Sequence, residues 1–232
     1  MAELNILLTT AITIGVIHTL IGIDHYVPFI ALSQANGWSM RKTILIVSAC
    51  GIGHVLSSVV LGFIGIALSS GVSLLVDIES TRGDIATYFL IAFGLVYTIY
   101  GIKHTVRSKK VPNGDTIMHT HSHGAHGVHS HDMHDTKKSN NTLWGLFILF
   151  VLGPCEPLIP IIMYPAATLN SFALISVTAS FGLCTITTMI VMTFLGIKGI
   201  RLLNVKKLER YAHVLAGSAI LICGISILVL PI

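Results

Sequence analysis

The feature that most constrains this chain is a series of apolar runs, each long enough to cross a lipid bilayer. A hydrocarbon core about 30 Å thick is crossed by about 20 consecutive apolar residues in a helix. Such runs lie at about 4–33, 42–69, 84–105, 142–168, 171–199 and 207–231. Only 10% of the residues are charged, against about 25% in soluble domains. The sequence therefore predicts an all-α membrane protein with six transmembrane helices.

The first and fourth apolar runs contain residues that interrupt a helix. The first run holds Gly22 and Pro28. The fourth run holds a glycine and four prolines, namely Gly153, Pro154, Pro157, Pro160 and Pro165. Proline removes a backbone hydrogen bond, and in lipid the freed groups need a protein partner or a water-filled cavity. We therefore expect transmembrane helices 1 and 4 to be broken beside a cavity.

The distribution of basic residues predicts the orientation of the chain. With six spans, thirteen lysines and arginines lie on one side of the membrane, and Arg82 alone lies on the other. The positive-inside rule then places both termini outside and segment 106–141 in the cytoplasm. We expect a multi-pass protein of the plasma or inner membrane, and the basic residues indicate topology rather than nucleic-acid binding.

Two halves of the chain resemble each other. At an offset of 131 positions, Gly22–His25 falls on Gly153–Glu156, and at an offset of 123, segment 88–102 falls on 211–225. The second alignment pairs Tyr88 with Tyr211, Gly94 with Gly217 and Gly101 with Gly224. The sequence thus predicts two three-helix repeats, 1–105 and 142–232, joined by the loop 106–141. Three spans per repeat invert the second repeat, and inverted repeats with broken helices are typical of transporters with a mid-membrane site.

Six residues within the apolar runs or at their breaks are candidate ligands for a metal ion. They are His18, Asp24, His25, His54, Cys155 and Glu156. A charge at the bilayer centre costs about 2.5–3.5 kcal/mol on insertion scales, so such groups usually face a cavity and have a partner. Imidazoles bind nickel, copper and zinc well, and carboxylates offset the charge of the ion. The set predicts a site for a divalent transition metal.

Structural roles for the same residues remain open from the sequence. Asp24 and His25 could form a static buried pair, and His54 could make a hydrogen bond that packs two helices. Cys155 could be a small buried hydrophobic residue, which is the commoner role of a cysteine thiol.

The loop 106–141 contains a dense histidine tract. Its seven histidines are His119, His121, His123, His126, His129, His131 and His134. Histidine-rich tracts of this kind are typical of metal binding. Because the spacing is irregular, we expect a flexible metal-buffering loop rather than a fixed site, with a simple linker as the alternative.

Three segments carry a family resemblance. "HTLIGIDHYVPFIAL", "GIGHVLSS" and "LGPCEPLIPIIMYPAA" resemble the membrane family related to nickel/cobalt transporters, in its urease-accessory-like branch, near the sulfite-exporter and thiol-reductant-conduit superfamily. The resemblance implies that His18, Asp24, His25 and His54 line the substrate path, and that a His-rich loop faces the cytoplasm. Cys155 and Glu156 join this set through the repeat together with the resemblance.

The sequence favours transport of a divalent transition metal, nickel or cobalt first, with a lean towards export. The expected partners are the metal ion, the bilayer and a cytoplasmic metallochaperone; no enzyme activity, no nucleic acid and no cofactor beyond the transported ion are expected. One alternative is membrane thiol or electron transfer, for which Asp24 stands where a second cysteine would be needed. Another is export of a small anion such as sulfite, which would favour basic residues at mid-membrane. A non-transporting metal sensor or scaffold is the third.

Overall fold

The protein is described here by a computed structural model that covers residues 2–67, 72–108, 136–153, 155, 157–167, 171–202 and 211–229. Within these ranges the chain is helical and contains no strand. The helices are α1 (Ala2–Ile21), α2 (Val27–Ala35), α3 (Met40–Ala67), α4 (Val72–Ser108), α5 (Thr136–Leu152), α6 (Leu158–Ala167), α7 (Ser171–Leu202) and α8 (Ala212–Val229). Helices α1, α3, α4, α7 and α8 contain segments long and apolar enough to cross a membrane. The predicted all-α membrane fold is confirmed.

The two expected helix breaks are present. Helix α1 ends at Ile21, a 3-10 turn covers Ile23–His25, and α2 follows with Pro28 in its first turn. A proline costs little there because the first N–H groups of a helix have no partner within the helix. The fourth apolar run is likewise divided into α5 and α6. This division explains why five helices, rather than six, reach spanning length within the described residues.

Helix α4 differs from the sequence-based expectation. The predicted span 84–105 begins too late, because α4 runs unbroken through 37 residues from Val72. Leu75, Glu79, Ala86 and Leu90 are all buried, and their spacing follows one face of a helix. At 1.5 Å per residue α4 is about 55 Å long, so it tilts or extends beyond a core of about 30 Å.

The contacts between helices match the predicted repeat. If each of the first three spans is exchanged with its counterpart among the last three, the same pairs of helices remain in contact. Helix α1 packs on α7, and α3 packs on α5 and α6. Helix α4 packs on α8, its own counterpart in the predicted repeat. Two predicted inverted repeats would give this pattern, and the repeat boundaries themselves stay a prediction.

Glycines bring α4 and α8 into close contact. A Cβ at Gly94 would lie 2.5 Å from the backbone N of Leu221, and one at Gly101 would lie 2.5 Å from the backbone N of Val214. A Cβ at Gly217 of α8 would meet the backbone of α4 in the same way, and one at Gly224 would meet both side-chain and backbone atoms of α4. Small residues allow such backbone approach between membrane helices, where packing replaces the hydrophobic effect as the driving force.

Gly101→Leu is therefore expected to destabilise the protein. The new side chain would meet backbone atoms that cannot rotate away, and overpacking of this kind costs about 1–3 kcal/mol or more. Thermal unfolding of the detergent-solubilised protein measures the effect. Gly199→Leu is the matched control, because nothing lies within 4 Å of a Cβ at Gly199. Equal melting temperatures for the two variants would contradict the close α4–α8 packing.

Candidate metal centre

Three histidines from separate elements meet at the first helix break. His18 lies in the last turn of α1, His25 in the 3-10 turn, and His54 in the middle of α3. The ring centroids are 4.9 Å apart for His18 and His25 and 5.1 Å apart for His25 and His54. His25 and His54 are buried, and His18 is partly buried. The break ending α1 thus turns His25 back between two helices.

The hydrogen bonds of two of these rings fix which nitrogen carries the proton. Nδ1 of His25 lies 3.1 Å from both the carbonyl oxygen of Gly22 and Oδ1 of Asp24. Nδ1 of His54 lies 3.3 Å from the carbonyl oxygen of Phe150. A carbonyl or an ionised carboxylate only accepts hydrogen bonds, so Nδ1 donates in both rings, and in the neutral imidazole the lone pair lies on Nε2. Hydrogen bonds of this kind orient the histidines of metal sites.

The opposite nitrogens of the rings are buried without a hydrogen-bond partner among the described residues. The Nε2 atoms of His18, His25 and His54 make no hydrogen bond within the described part of the chain. A buried polar atom left unsatisfied costs about 1–3 kcal/mol. Three such nitrogens form a set of ligand atoms suited to a cation.

A thiol completes the group. Cys155 lies in the break between α5 and α6, fully buried, and its backbone N–H donates to Ser58 Oγ at 3.2 Å. One ligand atom from each of His18, His54 and Cys155 lies within 4.8 Å of the other two. Ligands of a tetrahedral zinc ion stand about 2.0–2.3 Å from it, which places them about 3.5 Å apart. Small side-chain rotations would therefore bring these three atoms onto one ion. His25 lies against both histidines but outside this tighter group.

Of the two acidic residues of the predicted site, Asp24 and Glu156, the structure describes one. Asp24 is paired with His25, and 37% of its side chain is exposed. Glu156 lies outside the described residues, and so do the seven loop histidines, His119, His121, His123, His126, His129, His131 and His134. Their predicted roles stay predictions.

The centre lies where two buried apolar clusters meet. Phe150, whose ring centroid is 6.3 Å from that of His54, belongs to the first cluster together with Phe29 and Met189. Cys155 and Phe181 belong to the second. Apolar walls lower the local dielectric constant, which strengthens the attraction between a bound cation and its ligands.

Arg82, a partly buried arginine that the sequence indicated only as a topology signal, holds the same region together. Arg82 donates to Glu79 Oε1 at 2.8 Å, to Ser57 Oγ at 2.9 Å and to the carbonyl oxygen of Val151 at 3.0 Å. The Ser57 hydroxyl in turn donates to the carbonyl oxygen of His54 at 2.8 Å. The break after α5 leaves its last carbonyls without partners within the helix. Arg82 and His54 satisfy two of these carbonyls, and so join the break to α3.

Gly22→Ala is expected to displace His25. A Cβ at Gly22 would lie 2.5 Å from His25 Nδ1 and 3.1 Å from Asp24 Oδ1, although the backbone angles of Gly22 (φ −70°, ψ 89°) suit other residues. We expect zinc affinity to fall about tenfold, the lower end of what the loss of outer hydrogen bonds costs at metal sites. Gly199→Ala is the control. Unchanged zinc affinity in G22A would mean that the turn does not position a ligand.

Comparison with known proteins bears on this site. Residues 27–226 match the family model described as "Cytochrome C biogenesis protein transmembrane region". The match agrees with the predicted kinship to thiol-reductant conduits, whereas membership of the nickel/cobalt branch stays a prediction. No curated protein and no solved structure matches the chain. Since the match covers most of the sequence and the helices suit a bilayer, the chain is a multi-pass membrane protein that belongs to the family of cytochrome c biogenesis protein transmembrane regions.

Proposed function

We propose that this protein binds a transition-metal ion at His18, His54 and Cys155 and carries it across the membrane. The observation that carries the proposal is the set of buried Nε2 atoms that have no hydrogen-bond partner among the described residues. Two of these imidazoles, those of His18 and His54, lie with a thiol in a group whose ligand atoms are within 4.8 Å of one another. A static packing cluster would be expected to satisfy its polar atoms with one another.

The donor set indicates the class of ion. Imidazoles suit nickel, copper and zinc, and a thiolate favours copper(I) and zinc among these. Nickel and cobalt enter the proposal through the family resemblance, and the thiol of Cys155 adds copper and zinc. The Asp24 carboxylate, paired with His25, would offset part of the charge of the ion within the membrane.

The broken helices support transport rather than storage. Breaks in α1–α2 and α5–α6 bring backbone termini to the centre from two positions that correspond in the predicted repeat. Such pairs of broken helices are typical of transporters that alternate access around a fixed site. With the His-rich loop in the cytoplasm, the ion would be collected there, which favours export.

Membrane thiol or electron transfer is the second candidate function, and the family match supports it at least as strongly as it supports metal transport. Cys155 lies at a helix break, as a transmembrane thiol carrier would require. Reduction of a disulfide requires two thiols. No disulfide joins the four cysteines, and within the described residues Cys155 is the only cysteine of the candidate metal group. The geometry therefore favours the metal.

The anion alternative gains little support from the site. Arg82 lies near the broken helix, and its guanidinium donates to Glu79, Ser57 and the carbonyl oxygen of Val151. The groups that meet at the centre itself are imidazoles, a thiol and a carboxylate, which attract cations.

Proteoliposomes test these functions side by side. We would measure uptake of nickel, cobalt, zinc and copper(I), uptake of sulfite, and reduction of an enclosed disulfide by an external dithiol. The proposal predicts saturable metal uptake that His18→Gln, His54→Gln and Cys155→Ser abolish and Cys184→Ser leaves intact. Disulfide reduction that depends on Cys155, without metal uptake, would replace this proposal with thiol transfer. Sulfite movement alone would overturn both.

A further inference from the structure

A second histidine cluster lies at the end of the molecule from which the His-rich loop departs. His104 lies in the last two turns of α4, and His213 lies in the first turn of α8. Their ring centroids are 5.2 Å apart. The Tyr100 ring lies beside both, with its centroid 6.1 Å from that of His104 and 5.7 Å from that of His213.

The distance between the two imidazoles suits a shared ion. When two histidines bind one tetrahedral ion through nitrogens about 2.1 Å away, their ring centroids stand about 5 Å apart. Edge-to-face ring packing gives similar distances, so the spacing is compatible with a site without defining one. The hydrogen bonds and the position of the cluster distinguish a metal site from simple ring packing.

A hydrogen-bonded chain holds one of these rings. Tyr97 Oη lies 3.0 Å from Nδ1 of His213, and Asn36 Nδ2 donates to the same hydroxyl at 3.1 Å. Asn36 Nδ2 also donates to the carbonyl oxygen of Leu32 at 2.8 Å, which anchors the asparagine at the end of α2. Metal-binding histidines are held in the same manner by a hydrogen bond to the nitrogen opposite the ion. When Nδ1 of His213 donates to the Tyr97 hydroxyl, the lone pair of the ring lies on Nε2.

The position of the cluster links it to both predicted metal-binding parts of the chain. Helix α4 ends at Ser108, four residues after His104, and the sequence then enters the histidine tract. Helix α2 is nine residues long, about 13 Å. It begins two residues after His25 and ends at Ala35, immediately before Asn36, so it connects the candidate centre with the cluster. His104 is exposed, whereas His54 is buried, so the cluster is accessible where the centre is not.

We propose that His104 and His213 form a second binding site for a transition-metal ion, through which the ion passes between the His-rich loop and the buried centre. This inference rests on the proposed function. A site of two imidazoles lacks the thiol and the carboxylate of the centre, so it binds more weakly. Weak binding suits transfer, because an ion held here is released readily to the centre or to the loop.

Zinc titration of the full-length protein in detergent tests the site. The background variant has all seven loop histidines replaced by asparagine, which removes their binding. We expect this variant to bind two zinc ions per chain, one of them more weakly. His104→Gln with His213→Gln is expected to remove the weaker ion and leave the tighter one. His104→Gln alone, at an exposed position, should weaken the same ion at least tenfold without altering thermal unfolding.

The outcomes separate the two sites. If the zinc count and both affinities are unchanged in the His104→Gln/His213→Gln variant, the second site is overturned. A triple variant, His18→Gln/His54→Gln/Cys155→Ser, should lose the tighter ion alone. If the triple variant keeps both ions while the His104/His213 variant loses one, the second site is upheld and the buried centre is overturned.

Discussion

Cys155→Ser is expected to lower the affinity of the protein for zinc by about 100-fold or more. The substitution replaces a thiolate ligand with a hydroxyl, a much weaker ligand for zinc. Loss of an outer hydrogen-bond partner already costs about 10–100-fold at metal sites, so loss of a ligand costs at least the upper end. The measurement is a zinc titration, monitored by isothermal titration calorimetry, in the variant whose seven loop histidines are replaced by asparagine.

Cys184→Ser is the matched control. Cys184 lies on α7, partly buried and outside the candidate group, so its loss should leave zinc affinity within about twofold. The variant also measures how far exchanging sulfur for oxygen outside the site alters the zinc affinity. If C155S and C184S bind zinc equally, the thiol is not a ligand.

Arg82→Met is expected to destabilise the protein by about 3–5 kcal/mol. The carboxylate of Glu79 is fully buried, and the Arg82 guanidinium is its ion-pair partner. Removing one partner of a buried pair leaves an uncompensated charge, which costs about that much. The α5 carbonyl of Val151 and the Ser57 hydroxyl also lose their donor. Thermal or denaturant unfolding in detergent measures the loss.

A double variant isolates the ion pair. Glu79→Met with Arg82→Met removes both charges and should recover a large part of the stability, because replacing a buried pair by apolar residues is often close to neutral. Arg201→Met, at an exposed position of α7, is the control for losing an arginine. If R82M unfolds like R201M, the contacts of Arg82 do not stabilise the helix break.

The sequence could place the first part of the centre because its signals are local. Gly22 and Pro28 interrupt an apolar run, and His18 precedes His25 by almost two helical turns. A helix that breaks between them turns the second imidazole towards the first, and their rings lie 4.9 Å apart in the structure. The role of His54 required a tertiary contact, yet a histidine within a glycine-rich apolar helix was itself a clear signal.

Other features depended on contacts between distant segments. Nothing in the spacing shows that Ser58 would receive the N–H of Cys155, 97 positions away. Arg82 stood out in the sequence as the one basic residue on its side, but the positive-inside rule explained its position without giving it partners. The segment before it lies outside the predicted spans, yet it belongs to α4 and buries Leu75 and Glu79.

The contact between the glycines of α4 and α8 could be predicted in part. The offset of 123 aligned Gly94 with Gly217 and Gly101 with Gly224, and all four lie at the α4–α8 contact. The alignment predicted equivalent positions without indicating that they would face one another. That step needed the packing of α4 directly against α8, which no local pattern specifies.

X-ray absorption at the zinc edge tests the central claim most directly. The sample is the variant without loop histidines, loaded with one zinc ion per chain, compared with the same variant carrying Cys155→Ser. Binding at the His18–His54–Cys155 group predicts one sulfur at about 2.3 Å and two or three nitrogens at about 2.0–2.1 Å, with the sulfur absent in C155S. A spectrum of nitrogen and oxygen alone, unchanged by C155S, would contradict the metal centre and leave Cys155 to thiol chemistry.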